Sequence, residues 1–354
     1  YFSSAELMGN TFSELVSKNL HLAGEFYVSL AYKVMCQNNM PVAVYPLQHF
    51  MQWGTPEDVA EYNYWSKTFS RLTSDLSSKQ NLPGASVIPM AGLGKRFANE
   101  GYTDTKPLIP VSGRPMVLQA AKDLPNTDMR VFVVREDMPD YANVNTVIKE
   151  SFPNSLIRTI DHVTEGQACT AMLGVDALRN SDSEDVSPVT IGVCDSGALY
   201  SEEKFQNLIT DDDVDVIVWG IRGYTNAIRN PEMFGWIEEE NGVILSISVK
   251  KPILNLKSDP IVLGTFTFKK IEDFENATQR LIKRDGRVNG EFYMDSCIED
   301  AIDLGLKCAL FEVESYLCWG TPNDLKTFEY WQSCFHLWDS HSYKLQNDKR
   351  IEKH

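Results

Sequence analysis

Between Ser86 and Pro115 the chain reads SVIPMAGLGKRFANEGYTDTKPLIPVSGRP. An apolar, β-branched run breaks there into Gly92-Leu93-Gly94-Lys95-Arg96, and Lys106-Pro107 follows a turn-rich stretch. Glycine has no Cβ and accepts positive φ, so such a loop lets backbone amides approach a polyanion closely. Lys95, Arg96 and Lys106 would supply the opposite charge. The same residues also suit a strand ending in a Gly-rich turn with solvated cations, because Gly-x-Gly alone is a weak signal. No Gly-Lys-Ser/Thr closes a Walker loop, and the third glycine of a dinucleotide fingerprint is missing.

A second candidate is Asp195, which closes the apolar run SPVTIGVCD and precedes Ser196-Gly197. Ligands of open α/β sheets gather at the carboxyl ends of strands. A carboxylate placed there can hold Mg²⁺, which takes one or two carboxylates and completes its shell with phosphate oxygens and water. Capping of the following turn is the alternative role. In Glu165-Gly166-Gln167-Ala168, the Gln167 amide can donate and accept at once, which suits a base edge, although an ordinary helix start has the same composition.

In this order the motifs resemble the nucleotidyltransferase (pyrophosphorylase) superfamily, in which Gly-x-Gly-x-Arg and a downstream Lys-Pro hold a nucleoside triphosphate. The resemblance covers roughly Ser86 to Phe335. It implies that Ala91, Gly92, Leu93, Gly94 and Lys95 cradle the nucleotide, with Arg96 and Lys106 on its phosphates, Gln167 at the base and Asp195 on the catalytic Mg²⁺. Lys250-Lys251-Pro252 is similar to the family's Glu-Lys-Pro, with Lys251 meeting the acceptor phosphate and Lys250 in place of the usual acid. Asn230-Pro231, Phe234-Gly235 and Gly264-Thr265 match stretches that line the acceptor pocket, and Glu291 resembles its sugar-hydroxyl acceptor. Where many sugar-specific members carry a second metal-binding Asp, two residues before a Gly-Thr, this chain has Cys318. Asp295 is the substitute we assign.

The reaction implied is Mg²⁺-dependent transfer of a nucleotidyl group from a nucleoside triphosphate to a sugar 1-phosphate. The short loop Ala91-Gly92-Leu93-Gly94-Lys95-Arg96 lacks an extra glycine common in sugar-specific members, which keeps cytidylyl transfer to a phosphorylated alcohol or polyol open. Cys318 keeps a nucleotide-binding unit without turnover open as well.

Bulk composition bounds these readings. Across 354 residues, 49 acidic and 33 basic side chains leave a formal charge of −16, which disfavours nucleic acid and anionic membranes as partners. No Cys-x-x-Cys pair occurs among the seven cysteines, which read as buried, reduced thiols of a cytoplasmic protein. Neither an apolar run of membrane-spanning length nor a signal-peptide pattern is present. A homo-oligomer is left open.

The elements that must position these residues follow an α/β order. MRVFVVRE, SLIRTIDHV, SPVTIGVCDSG and DVDVIVWGIRG read as strands, and VLQAAKDL, VNTVIKESF and a helix opening at Thr164 read as their partners. GWIEEENGVILSISVKKP reads as a hairpin turning at Asn241-Gly242, and Thr321 as the N-cap of a helix in TPNDLKTFEYWQSCF. The expected fold is therefore a Rossmann-like, mostly parallel sheet sandwiched by helices; the family resemblance makes it GT-A-like.

The segment from Gly24, GEFYVSLAYKVMCQNNMPVAVYPLQHFMQWGTPEDVAEYNYWSKTF, recurs without a gap as GEFYMDSCIEDAIDLGLKCALFEVESYLCWGTPNDLKTFEYWQSCF from Gly290. Gly24 pairs with Gly290, Trp53 with Trp319 and Trp65 with Trp331, always 266 positions apart. A repeat this long signals a duplicated domain. Residues 1–73 thus read as the C-terminal part of a preceding unit whose front is absent, adding stability rather than chemistry. We expect a linker at 74–85, a complete domain at 86–345 and a frayed, charged tail at 346–354.

Overall fold

The computed structural model describes residues 1–73, 81–181, 186–253 and 255–351. It separates into two compact units, Tyr1–Phe50 and Met51–His354. The first holds α1 (Ala5–Ser17) and α2 (Val28–Gln37), which pack together through Leu15, Ala31 and Val34.

The second unit opens with α3 (Pro56–Thr73), β1 (Asn81–Pro89), α4 (Lys95–Asn99), β2 (Pro110–Val111), β3 (Arg114–Pro115) and α5 (Met116–Asp123). It continues through β4 (Asn126–Arg135), α6 (Tyr141–Ser151), β5 (Leu156–Ile160), α7 (Gln167–Arg179), β6 (Val189–Ile191) and β7 (Ser196–Leu199). Next come α8 (Glu202–Thr210), β8 (Val216–Ile221), α9 (Thr225–Arg229), β9 (Trp236–Glu240), β10 (Val243–Ser248) and β11 (Ile261–Phe268). The unit ends with α10 (Ile271–Lys283), α11 (Met294–Asp303), β12 (Cys308–Glu312), β13 (Ser315–Cys318) and α12 (Pro322–Leu337).

Among the described residues, nine strands form one sheet in the order β5-β4-β1-β6-β11-β8-β12-β10-β9. The pairs β5–β4, β4–β1, β1–β6 and β8–β12 are parallel, and β11 runs antiparallel between β6 and β8. Continuous apolar strands are what a sheet buried on both faces requires. Val87, Val131 and Val133 enter the core on one face with Ala171 and Val175 of α7 and with α10 and α11. Their neighbours Ile88, Phe132 and Val134 enter a second core with Val117 and Ala121 of α5 and Val144 and Ile148 of α6. Period-two alternation thus places a helical layer on each side. The fold is the mixed α/β sandwich that the strand and helix patterns imply, and the hairpin turns at Asn241-Gly242 with both φ positive. Among the described residues no helix is long and apolar enough to cross a membrane.

Several boundaries differ from the expectation. Asn81 to Ala85 belong to β1, paired with β4, because β4 supplies partners back to Asn126; residues 74–80 lie outside the described ones. The second unit begins at Met51 because α3 is anchored in it by burial and hydrogen bonds. Trp65 and Phe69 pack on Phe328, and Tyr64 Oη donates to the Tyr316 carbonyl at 2.7 Å while accepting the Tyr316 amide at 2.8 Å. Tyr64→Phe would leave both backbone groups of Tyr316 without this partner. Each buried unpaired group costs about 1–3 kcal/mol, so we expect a loss of roughly 2–4 kcal/mol in chemical denaturation.

The tail is docked rather than frayed as far as Ile351. Tyr343 Oη donates to Asp348 at 2.8 Å, the Arg350 amide donates to the same carboxylate at 2.8 Å, and the Arg350 guanidinium sits 5.4 Å from the Trp319 ring centre. α7 begins at Gln167 rather than Thr164, since Gly166 at φ 139° cannot lie within a helix. All seven cysteines are free, but Cys36 is exposed, on α2.

Candidate functional site

Beyond β1 the chain leaves the sheet at Met90 and turns through Gly92 to Gly94, whose φ of 62° places it in the left-handed region before α4. That turn keeps Lys95 and Arg96 exposed while Phe97 is buried beneath them. Lys106 follows in a short 3₁₀ turn, with its ammonium 5.8 Å from the Phe97 ring centre and paired with the Asp195 carboxylate. Burial would pull the Lys106 pKa down, but Asp195 and its hydrogen bond, with Cys194 and Cys318, leave it above the usual lysine value. The positive charge at the loop is therefore secured by one carboxylate. Asp195 sits between β6 and β7, held from behind by Trp319 N donating to its carbonyl at 2.9 Å.

A close backbone contact sets the neighbouring side. A Cβ at Gly166 would stand 2.5 Å from both the amide nitrogen and the carbonyl oxygen of Phe292. The gap lets Phe292 N donate to Glu165 O at 2.8 Å and Ala168 N donate to Phe292 O at 3.1 Å. Gln167 and Glu291 are thereby brought to one place from positions far apart in sequence. They line a cavity of about 210 Å³ with Ala91, Gly92, Val163 and Thr170. An adjoining cavity of about 340 Å³ shares Gly92, Val163 and Glu291 and adds Gly94, Lys95, Arg96, Lys106 and Gly320. Leu93 lines it too. A polyanion beside cations in one compartment and a flat polar group beside an amide in the other is the chemistry that this pair of cavities can hold. A separate cavity of about 440 Å³ is lined by Arg71, Asp123, Glu314 and Arg350, among others. There Arg71 and Arg350 are already answered by Glu314 at 2.9 Å and Asp123 at 2.8 Å.

The remaining expected residues form a different group. Asp295, in the first turn of α11, lies against Gly235, where a Cβ would come within 2.3 Å of Asp295 Oδ2. Lys250, at φ 56°, directs its ammonium to 5.4 Å from the Tyr293 ring centre and lowers the pKa of Asp295 electrostatically. Lys251, its neighbour, is exposed. Thr265 is buried beside Gly264, where β11 is irregular. Tyr293, not singled out in the sequence, joins the two groups: its pKa is raised by burial and by Glu291 and Asp295, and lowered by Arg96. Its recurrence as Tyr27 in the repeated Gly-Glu-Phe-Tyr was the available signal.

Burial pushes the Asp295 carboxyl up to about 6 from 3.8, with Lys250 opposing. A raised carboxyl favours the folded state below pH 3.8, and that contribution is lost as pH rises through about 6. Asp295→Asn, which never ionises, should therefore raise Tm at pH 7.5 by the equivalent of roughly 1–2 kcal/mol. The gain should shrink as pH falls below about 6 and vanish near 4.

The donor set for a metal is narrow. Among the described residues no group of three or more His, Cys, Asp or Glu side chains could hold one. Burial, then Asp324, raises the pKa of Cys318, so its neutral thiol is a poor ligand for a hard cation. Asp295 lies at Gly235, whereas Asp195 lies at Lys106 and Gly320. Asp195 fits Mg²⁺, which accepts a single protein carboxylate when phosphate oxygens and water complete its shell.

Solved structures share this architecture. A nucleoside-diphosphate-sugar pyrophosphorylase from Vibrio cholerae RC9 matches 69% of this chain and 98% of its own, at 20% identity and a TM-score of 0.56. The fold is that of the nucleotidyltransferases. The inositol-1-phosphate CTP transferase from T. maritima matches 72% of this chain and 96% of its own, at 15% identity and a TM-score of 0.53. A putative glucose-1-phosphate thymidylyltransferase from Bacillus anthracis matches 70% and 94%, at 16% identity and a TM-score of 0.52. No family profile and no curated protein matches the sequence. In this nucleotidyltransferase fold, the glycine loop, Lys106 and Asp195 all stand at the carboxyl ends of β1 and β6, where open α/β sheets gather ligands.

Proposed function

We propose that this chain transfers a nucleotidyl group from a nucleoside triphosphate to a sugar 1-phosphate, releasing pyrophosphate. The observation that carries the reading is the pair of adjoining cavities, cationic around Gly92–Arg96 and Lys106, amide-lined around Gln167 and joined at Glu291. The triphosphate lies along the glycine loop, the base meets Gln167, and Glu291 accepts from a sugar hydroxyl. The phosphorylated acceptor enters from the side of Gly235, Thr265, Tyr293 and Asp295, with Lys250 and Lys251 near its phosphate.

An oxygen of the acceptor phosphate attacks the α-phosphorus in line, the new O–P bond forms as the bond to pyrophosphate breaks, and no protein nucleophile is needed. Arg96 and Lys106 neutralise the gathered charge, so positioning and electrostatics supply the catalysis. Mg²⁺, bound by Asp195 with phosphate oxygens, would add further neutralisation on the phosphates. The seven cysteines, none in a disulfide, suit a reducing cytoplasmic setting.

Four nucleoside triphosphates screened against phosphorylated acceptors for pyrophosphate release test the reading. Turnover with a sugar 1-phosphate supports it, and turnover confined to CTP with a phosphorylated polyol favours the second reading that the short glycine loop keeps open. Nucleotide binding in calorimetry without any pyrophosphate exchange would reduce the chain to a binding unit, the reading motivated by Cys318.

A further inference from the structure

The Tyr1–Phe50 unit reproduces the local geometry of residues 267–316 at the same offset of 266 positions. α1 spans Ala5–Ser17 where α10 spans Ile271–Lys283, and α2 spans Val28–Gln37 where α11 spans Met294–Asp303. An isolated bridge joins Leu22 to Glu25 in one copy and Val288 to Glu291 in the other. Positive φ recurs at Asn19 and Asp285, at Ala23 and Asn289, and at Gly24 and Gly290.

What differs is what each copy touches. The sides of α10 and α11 that face each other and the sheet are buried, whereas in the first copy the helix–helix side alone is closed. Phe274 is 0% exposed and its counterpart Met8 is 42% exposed; for Met294 and Val28 the values are 0% and 58%. Phe311 on β12 is 2% exposed, but Tyr45 is 85% exposed, in a stretch that forms no strand. Leu47 and Phe50 are exposed likewise, while Val313 and Tyr316 are buried. Every one of these apolar positions has its mate in a packed sheet layer.

We infer that Tyr1–Phe50 is the closing segment of a second unit of the same fold. Its exposed apolar side is covered by a nucleotidyltransferase sheet formed by polypeptide ahead of Tyr1. A second copy of this chain does not fit the role, because β12 already occupies the slot between β8 and β10, paired on both sides, and α10 and α11 already cover that sheet. Within the completed unit Val42–Pro46 pairs in parallel with the strand equivalent to β8, and Glu25 and Tyr27 stand where Glu291 and Tyr293 stand. Ser29 there replaces Asp295, so the two units differ on the acceptor side. The inference rests on fold and burial and stands whether or not the reaction above is the right one.

Thiol labelling tests it. Tyr45→Cys and Phe50→Cys, in a background where the exposed Cys36 is replaced by serine, are labelled in the 354-residue chain and in the polypeptide extended upstream through its coding sequence. Leu337→Cys, on the exposed end of α12, is the reference in both. We expect fast labelling in the 354-residue chain and protection of at least about tenfold in the extended one. Equal rates in the two would overturn the inference. So would concentration-dependent protection of the 354-residue chain alone, which would assign the surface to a second copy. Reading the upstream codons is the independent arm: they must encode a stretch comparable to Asn81–Phe266 with its own strand pattern, and a stop codon or unrelated sequence there refutes the inference.

Discussion

Asp195→Asn should lower the rate of nucleotidyl transfer by about 10²-fold or more, the usual effect of removing one preorganised electrostatic partner. The substitution conserves volume and hydrogen-bonding capacity, so the fold should be kept and the loss confined to charge. Two readouts separate this role from a structural one. Mg²⁺ dependence should weaken, because Asp195 is the carboxylate that fits the ion. Lys106 should also respond: with Asp195 neutral, burial becomes the dominant influence on its ammonium, and its pKa should fall below the usual lysine range. The variant should therefore lose residual activity at a lower pH on the alkaline side than the parent does. Full activity at limiting Mg²⁺ with an unchanged alkaline limb would remove Asp195 from the site.

Gly166→Ala is expected to be strongly destabilising. A φ of 139° with ψ of 174° belongs to a region that residues with a Cβ scarcely visit. The added methyl would also meet the Phe292 amide and carbonyl at 2.5 Å, and neither can yield without breaking the hydrogen bonds to Glu165 and Ala168. Strain plus lost hydrogen bonds at a buried junction amount to about 4 kcal/mol or more, at the upper end of single-substitution effects. In a chain of this size that corresponds to a fall of roughly 6 °C in Tm. Gln167 and Glu291 flank the junction, so triphosphate affinity should fall even where the variant remains folded. Gly92→Ala provides the comparison: its φ is not positive and a Cβ there meets nothing within 4 Å, so its Tm should be nearly unchanged.

Much of the candidate site was legible because its residues sit next to strand ends in the sequence. Gly92 to Arg96 follow the apolar run of β1 directly, and Asp195 follows that of β6, so hydrophobic pattern plus residue type located them. Residues that meet across the fold were harder to place. Nothing local shows that Glu165 and Phe292 exchange a hydrogen bond, that Lys250 faces Tyr293, or that Asp295 lies at Gly235. Each depends on a turn conformation or on a contact between distant elements. The tail misled for the same reason: Asp348 and Arg350 look like solvated charges until Tyr343 and Trp319 are seen beside them.

The repeat shows where that boundary lies, since one sequence pattern occurs in two surroundings. Both copies form the same two helices, with the same limits, the same bridge and the same positive-φ turn, because i to i+4 hydrogen bonds, caps and turns are made within the segment. The stretches that follow part company. Cys308–Glu312 and Ser315–Cys318 are strands because β8, β10 and β7 offer their backbones, whereas residues 41–53 have no such edge and form none. A strand's hydrogen bonds belong to its neighbours, so the sequence by itself determined the helices and turns of this protein, and the sheet that builds the site was decided by tertiary pairing.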